Sequence, residues 1–272
     1  MGKADYQAQS LARGLEIIEL FDAEHRILST HDFAEQLGVS QSSIYRIVQT
    51  LIDKNYLRKV ARNAYTLGPQ VVSRGFSFLA GQDLVDIAAP HLKKLRDETS
   101  ISCHMAIRDG LETLYVYRAQ ASQRLSVNIP LGTRLPCHTN AMGRILLQQL
   151  SDIELSAVYQ SIHLDMYPRP HPQTFPELKH LLATEKKQGF ALNRSDNATA
   201  IAAPITDYLG NIIAAINISG AEQIMDKRHQ FEAAKQSLLT TRTPSPVKHP
   251  PKQRAFGGGK RQVQRCCLST RY

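Results

Sequence analysis

The sequence predicts an α+β protein in two parts. Residues 10–67 carry apolar periodicity of helical spacing and close on a short hairpin. From Ile101 the period changes to that of strands, several helices follow, and a last strand pair flanks residues 207–211. Such an order of strands, then helices, then a closing hairpin suggests an antiparallel sheet with helices to one side.

Residues 10–22, SLARGLEIIELFD, read as the first helix, with Leu11, Leu15 and Ile18 on one side and Ile17, Leu20 and Phe21 widening it. Thr30 is the expected N-cap of the next helix, in which Phe33, Ala34 and Leu37 turn inward. Gly38-Val39-Ser40 then makes a tight turn, with Ser40 placed to cap the following helix by accepting a backbone N–H. There Ile44, Ile47, Val48, Leu51 and Ile52 recur at i, i+3, i+4, i+7 and i+8, a single apolar stripe. The opposite face holds Ser42, Arg46, Gln49, Thr50 and Asp53, with Ser43 and Tyr45 on its flanks.

That face has the chemistry for reading a major groove. Arg and Gln match guanine and adenine edges, and Ser and Thr serve bases or phosphates. A plain amphipathic surface helix would carry the same stripe. The preceding helix, the short turn and the following hairpin favour DNA. In that hairpin Tyr56–Val60 and Ala64–Leu67 are rich in strand formers around Arg62-Asn63. Arg58, Lys59 and Arg62 are expected to point from this wing to phosphates, which set register without reading sequence; an ordinary solvated hairpin is the blander alternative.

Gly68-Pro69 ends the wing and opens a helix. Val71, Val72, Phe76, Phe78 and Leu79 are too apolar for a free linker; they either pack on the second part of the chain or, as we favour, pair with a second copy. Residues 83–98 form another helix, with a restart or kink at Pro90. The stretches ISCHMAI, ETLYVYRA and LSVNI read as strands, the first two joined through Arg108-Asp109-Gly110. GTRLPCHTNAMGRILLQQL runs from a loop into a helix near 140–149, and helices follow at 151–160 and 176–188 across a proline-dense loop. TAIAAPIT and IIAAINIS form the last strand pair, and a helix continues to about Leu238.

The net charge of +9 does not support DNA binding by the first part. Residues 1–75 carry a net +1, residues 76–238 are neutral, and residues 239–272 carry +8 with no acidic residue. This tail, with four prolines and a triple glycine, is expected to be disordered. It is either a basic arm adding nonspecific attraction or, as its composition favours, an incidental extension. Support for DNA contact is local, in Arg46, Lys54, Arg58, Lys59 and Arg62.

No apolar run approaches a membrane span, and the start MGKADYQAQS lacks a signal-peptide apolar region, so a cytoplasmic protein is expected. The cysteines, Cys103, Cys137, Cys266 and Cys267, form no CxxC. Cys103-His104 and Cys137-His138 could be imagined as a zinc site, but neighbouring residues on a strand point to opposite faces. A buried cysteine beside a polar pocket histidine is the simpler reading, with His104 or His138 in reach of an effector carboxylate. No GxSxG, HExxH, P-loop or GxGxxG is present, so no enzyme and no cofactor are expected.

The chain resembles the IclR family of bacterial transcription regulators over about residues 8–238. Three stretches carry the likeness: SLARGLEIIELF with GVSQSSIYRIVQTLIDKNYLRK, IAAPHLKKLRDET with GTRLPCHTNAMGRILL, and IAAPITDYLGNIIAAINISG. The resemblance implies a winged helix-turn-helix over residues 1–68, a helical linker and dimerisation segment over 69–98, a GAF-like antiparallel-sheet effector domain over 99–238, and a tail over 239–272. It further implies a regulator acting as a homodimer or dimer of dimers on a double-stranded DNA operator, governed by a small organic acid and without a membrane partner. Carried over, the effector pocket is lined by Ala141, Met142, Asn193, Ala200, Asn217 and Ser219, with backbone N–H groups at the start of the 140s helix favouring an anion. Two positions depart from the family pattern: Ala200 stands where a cysteine is frequent, and Arg144 where a lysine is common. The alternatives are an architectural DNA-binding protein without effector and a DNA-anchored GAF-like enzyme.

Overall fold

The computed structural model describes residues 8–22, 24–80, 83–122, 129–195, 197–207, 209–225 and 228–241. The chain divides between Asp83 and Leu84 into two compact units. Most of the strand expected at LSVNI and nearly all of the expected tail lie outside the described residues.

The first unit contains α1 (Gln9–Glu19), α2 (Thr30–Gln36), α3 (Gln41–Asp53), the hairpin β1 (Leu57–Ala61) and β2 (Ala64–Leu67), and α4 (Pro69–Ala80). Ile17, Leu28, Phe33, Ala34, Ile44, Val48, Leu57 and Tyr65 form its core. Contrary to expectation, α1 does not bury Leu11 and Leu15, which stay 64% and 53% exposed, and it ends at Glu19. Its buried residues are Gly14 and Ile17. The α1–α3 contact runs along this side, where a Cβ on Gly14 would sit 3.5 Å from the Ile47 side chain, and the leucines face away from it.

Two expected caps are also corrected. Ser29, not Thr30, caps α2, in a capping box with Asp32: Ser29 Oγ accepts from the Asp32 N–H, and the Ser29 N–H donates to the Asp32 carboxylate at 2.7 Å. Thr30 donates instead to Asn63 Oδ1 at 2.7 Å, tying α2 to the tip of the hairpin. Ser40 occupies the N-cap position of α3 without capping it through its side chain; its hydroxyl lies 3.1 Å from that of Ser42. Gly38 (φ +62°) makes the turn between the helices and Asn63 (φ +57°) the hairpin turn. Gly68 is required where the hairpin returns, because a Cβ there would lie 2.1 Å from the Asn55 carbonyl oxygen.

The second unit opens with α5 (Asp83–Thr99), which runs unbroken through Pro90 rather than restarting there. It contains β3 (Ser102–Asp109), β4 (Glu112–Ala119), β5 (Arg134–Pro136), α6 (Ala141–Leu147), α7 (Asp152–Tyr159), α8 (Phe175–Gln188), β6 (Ala191–Ser195), β7 (Ala198–Thr206), β8 (Ile212–Ala221), α9 (Glu222–Met225) and α10 (Arg228–Thr241). The six strands form one antiparallel sheet in the order β5-β4-β3-β8-β7-β6. The fold is therefore α+β, as expected. The short β5 contains a proline, and β6 (ALNRS) has no β-branched or aromatic residue, so neither announced itself as a strand. Residues 239–241, expected in the tail, complete α10.

Register sorts the side chains of the sheet. One row joins Asn193, Ala200, Ser219 and Ser102, and the next joins Ala191, Ala202, Asn217 and His104. Rows two residues apart share a face. Helix α6 packs against this face, with Ala141, Met142, Ile145 and Leu146 meeting Ala106, Tyr115, Ala191, Ala202 and Ala215. The other face carries Cys103, Met105, Ile201, Ile216 and Ile218, all buried. Because both faces of the central strands are covered, β8 is buried at seven consecutive positions, although Asn217 and Ser219 alternate with Ile216 and Ile218 along it.

Candidate functional sites

The first candidate surface is the outer side of α3 with the hairpin. Ile44 and Val48 anchor α3, and Ile47, Leu51 and Ile52 pack at the edge of the same core. Ser42, Tyr45, Arg46 and Thr50 are exposed, while Ser43 and Gln49 are half-buried. Two of the hydroxyls are already engaged: Ser43 donates to the Ser40 carbonyl at 2.7 Å and Thr50 to the Arg46 carbonyl at 2.9 Å. Held so, they offer lone pairs and not protons to a groove. Arg46 and Gln49 form no side-chain hydrogen bond among the described residues and are available as donors. In the hairpin Arg58 pairs with Thr66 and Lys59 with Tyr65, so the two basic side chains leave opposite faces of the ribbon. Arg62 is exposed at the hairpin tip, next to the anchored Asn63.

The second candidate site lies between α6 and its sheet face. Asn193, Ala200 and Ser219 fall in one row, Asn217 in the next, and Ala141 and Met142 are buried in the helix packed on those rows. The strand register thus brings together residues far apart in the chain. His104 belongs with them: it is fully buried opposite Asn217, with Nδ1 3.0 Å from Asn217 Oδ1 and the Tyr115 ring edge-on at 5.8 Å. Burial pushes the His104 ring down to about 4; the bond to Asn217 opposes this and the charge of Arg118 adds to it. His104 Nε2 and Ser219 Oγ are both buried without a hydrogen-bond partner.

At the start of α6, where an anion site was expected, the cap takes one of the first N–H groups. This helix has only seven residues, and Asn140 Oδ1 already accepts from the Gly143 N–H at 2.8 Å. A Cβ on Gly143 would lie 2.3 Å from the Cys137 carbonyl oxygen, so the helix is pressed directly onto the turn before it.

A buried ion pair beside these residues was not foreseen from sequence. Arg144 is 3% exposed and forms an ion pair with Glu185 of α8, Nη2 to Oε1 2.9 Å, with Nε donating to both carboxylate oxygens. It also donates to the Leu192 carbonyl at 2.7 Å and to Asn193 Oδ1 at 3.1 Å. An arginine inside an apolar helix was the available signal; its partner, 41 residues on, had none.

His138 lies apart from His104, edge-on to Tyr167 at 4.4 Å and to Tyr159 at 5.7 Å. Burial pushes it down to about 4, with further lowering by His171 and Arg144. The Cys103 and Cys137 thiols are pushed up by burial to about 12 and about 11. Among the described residues no three His, Cys, Asp or Glu gather as a metal site, and no helix is long and apolar enough to cross a membrane.

Two known families match separate parts of the chain. Residues 10–61 match the IclR helix-turn-helix domain, and residues 76–245 match the bacterial transcriptional regulator IclR C-terminal family. The Escherichia coli transcriptional repressor IclR is 28% identical over 229 residues, spanning 82% of this chain and 84% of its own. The Pca regulon regulatory protein of Pseudomonas putida is 29% identical over 222 residues, spanning 80% and 76%. In fold, an IclR transcriptional regulator from Alicyclobacillus acidocaldarius superimposes with a TM-score of 0.76 at 19% identity, covering 87% of this chain and 97% of that one.

Proposed function

The chain belongs to the IclR family of bacterial transcriptional regulators, and from that membership we propose that it binds a specific operator as a homodimer or dimer of dimers under the control of a small organic acid. It is a DNA-binding regulator and not an enzyme, as are the relatives it matches. In this reading residues 1–68 hold the operator, 69–98 link and pair two copies, 99–238 hold the effector, and the protein works where the chromosome lies, in the cytoplasm. Arg46 and Gln49 of α3 read bases, assisted by Ser42, Ser43, Tyr45 and Thr50, while Arg58, Lys59 and Arg62 hold phosphates. Val72, Phe76 and Phe78, 59%, 66% and 47% exposed on α4, support pairing of copies along that helix.

The observation that carries the effector reading is the pair of buried, unpartnered polar atoms, His104 Nε2 and Ser219 Oγ, on the sheet face with Asn217. Buried polar groups are nearly always hydrogen-bonded, and a ligand supplies the missing partner. Coupling follows if the acid favours one pose of the paired DNA-binding units over another, with residues 69–98 as the covalent route between them. Thermal melting of the full chain against a panel of keto, sugar and aromatic acids tests this. A concentration-dependent rise in melting temperature is expected for one class. No rise with any acid would count against effector control, and site selection from random DNA that enriches no motif would remove the operator.

A further inference from the structure

The two unpartnered atoms differ in what they can accept from a ligand, and that difference constrains the ligand. His104 Nδ1 lies 3.0 Å from Asn217 Oδ1. A carbonyl oxygen only accepts, so Nδ1 carries the hydrogen of the bond. A neutral imidazole has one N–H, which leaves Nε2 with a lone pair and nothing to donate. The ring is neutral at pH 7 because burial holds it down to about 4, and Arg118, opposite His104 in β4, disfavours a second positive charge. A carboxylate, which also only accepts, therefore cannot satisfy Nε2. A hydroxyl can. Ser219 Oγ, by contrast, has a proton to give and is buried without a taker.

We propose that His104 accepts a hydrogen bond from a hydroxyl of the effector while Ser219 donates to its carboxylate, so that the site selects hydroxy acids over the same acids with the hydroxyl removed or methylated. This rests on the effector site proposed above and makes His104 its specificity-determining residue. His104 is paired with Asn217, and Ser219 lies two residues further along β8, a diagonal neighbour. Diagonal neighbours on one face stand about 7 Å apart at the backbone, close enough for one small acid to reach both side chains. Ala200 and Ala202, in register with Ser219 and Asn217, bring no side chain beyond Cβ to that face.

Calorimetric titration of the full chain with matched acids tests the proposal: lactate against propanoate and 2-methoxypropanoate, 3-hydroxybutyrate against butyrate, and 3-hydroxybenzoate against benzoate and 3-methoxybenzoate. In at least one set the hydroxy acid is expected to bind about tenfold to a hundredfold more tightly, the cost of leaving one buried acceptor unsatisfied. His104→Leu is expected to erase that preference, His104→Gln to keep part of it through its side-chain oxygen, and Ser219→Ala to weaken all members of a set alike. Equal binding of hydroxy and deoxy acids, or a preference that survives His104→Leu, overturns the proposal and leaves the effector site standing. Failure of every acid to bind overturns both. The comparison on the unaltered chain decides the matter even where His104→Leu does not fold.

Discussion

Arg144 and Glu185 face one another as a buried ion pair, Nη2 2.9 Å from Oε1, and the same guanidinium holds the Leu192 carbonyl and the Asn193 carboxamide. One side chain thereby joins α6, α8 and β6, and fixes the Asn193 carboxamide. Burial raises the Glu185 carboxyl, and Arg144 pulls in the opposite direction.

Removing either charge should strand the other. Glu185→Gln and Arg144→Met are each expected to cost about 3–5 kcal/mol, while the double replacement by Met recovers much of the loss. Arg144→Lys keeps the charge and loses the fork that serves three partners, so it should fall between. Denaturant unfolding of the four variants measures this, and single changes costing under about 1 kcal/mol would show the pair to be incidental.

Two glycines should respond with opposite signs to alanine. At Gly143 the added Cβ would lie 2.3 Å from the Cys137 carbonyl oxygen and 2.4 Å from Thr113 Oγ1, so Gly143→Ala must push α6 off the turn and should cost about 3 kcal/mol or more. At Gly75, within α4, a Cβ meets nothing within 4 Å, and Gly75→Ala should stabilise the helix by roughly 0.5–1 kcal/mol. Calorimetric melting of both variants separates the cases, and a neutral Gly143→Ala would contradict the packing.

Two arginines of the DNA-binding unit should fail differently. Arg46→Ala is expected to weaken operator binding by about 1–3 kcal/mol and relax base preference at one position. Arg62→Ala should weaken all sequences alike and reduce the salt slope by about 1. Fluorescence titration against selected and scrambled sites over a range of salt reads both effects. Identical behaviour of the two variants would remove the division between base and phosphate contacts.

Acid should destabilise the second unit through His104 and His138. Both fall to about 4 in the fold from 6.5 when exposed, so between those values the unfolded chain binds protons that the native chain refuses. Stability is full above about pH 6.5, declines as pH falls toward 4, and loses no more from these groups below that. Each contributes up to about 3 kcal/mol. Urea midpoints from pH 7 to pH 4.5 should fall steeply, and less steeply in His104→Gln with His138→Gln; equal slopes would place the acid sensitivity elsewhere.

Much of the fold was legible in the chain because it rests on local patterns. The stripe from Ile44 to Ile52, the turn at Gly38, the hairpin at Arg62-Asn63 and the closing strand pair each follow from a handful of neighbouring residues. Failures came where the local signal was weak or ambiguous: β5 and β6 lack strand formers, Ser29 and Thr30 are chemically interchangeable as caps, and α1 has apolar residues on two faces.

What the sequence by itself determined is the kind of protein: a small helical reader with Arg46 and Gln49 on its outer face, followed by an α+β unit, since periods of 3.6 and 2 are written residue by residue. The tertiary structure alone decided which polar groups meet. His104 finds Asn217 at a separation of 113 residues, Arg144 finds Glu185 at 41, and Ser219 is left without a partner, because strand register and helix docking, and no local pattern, bring distant side chains to one face.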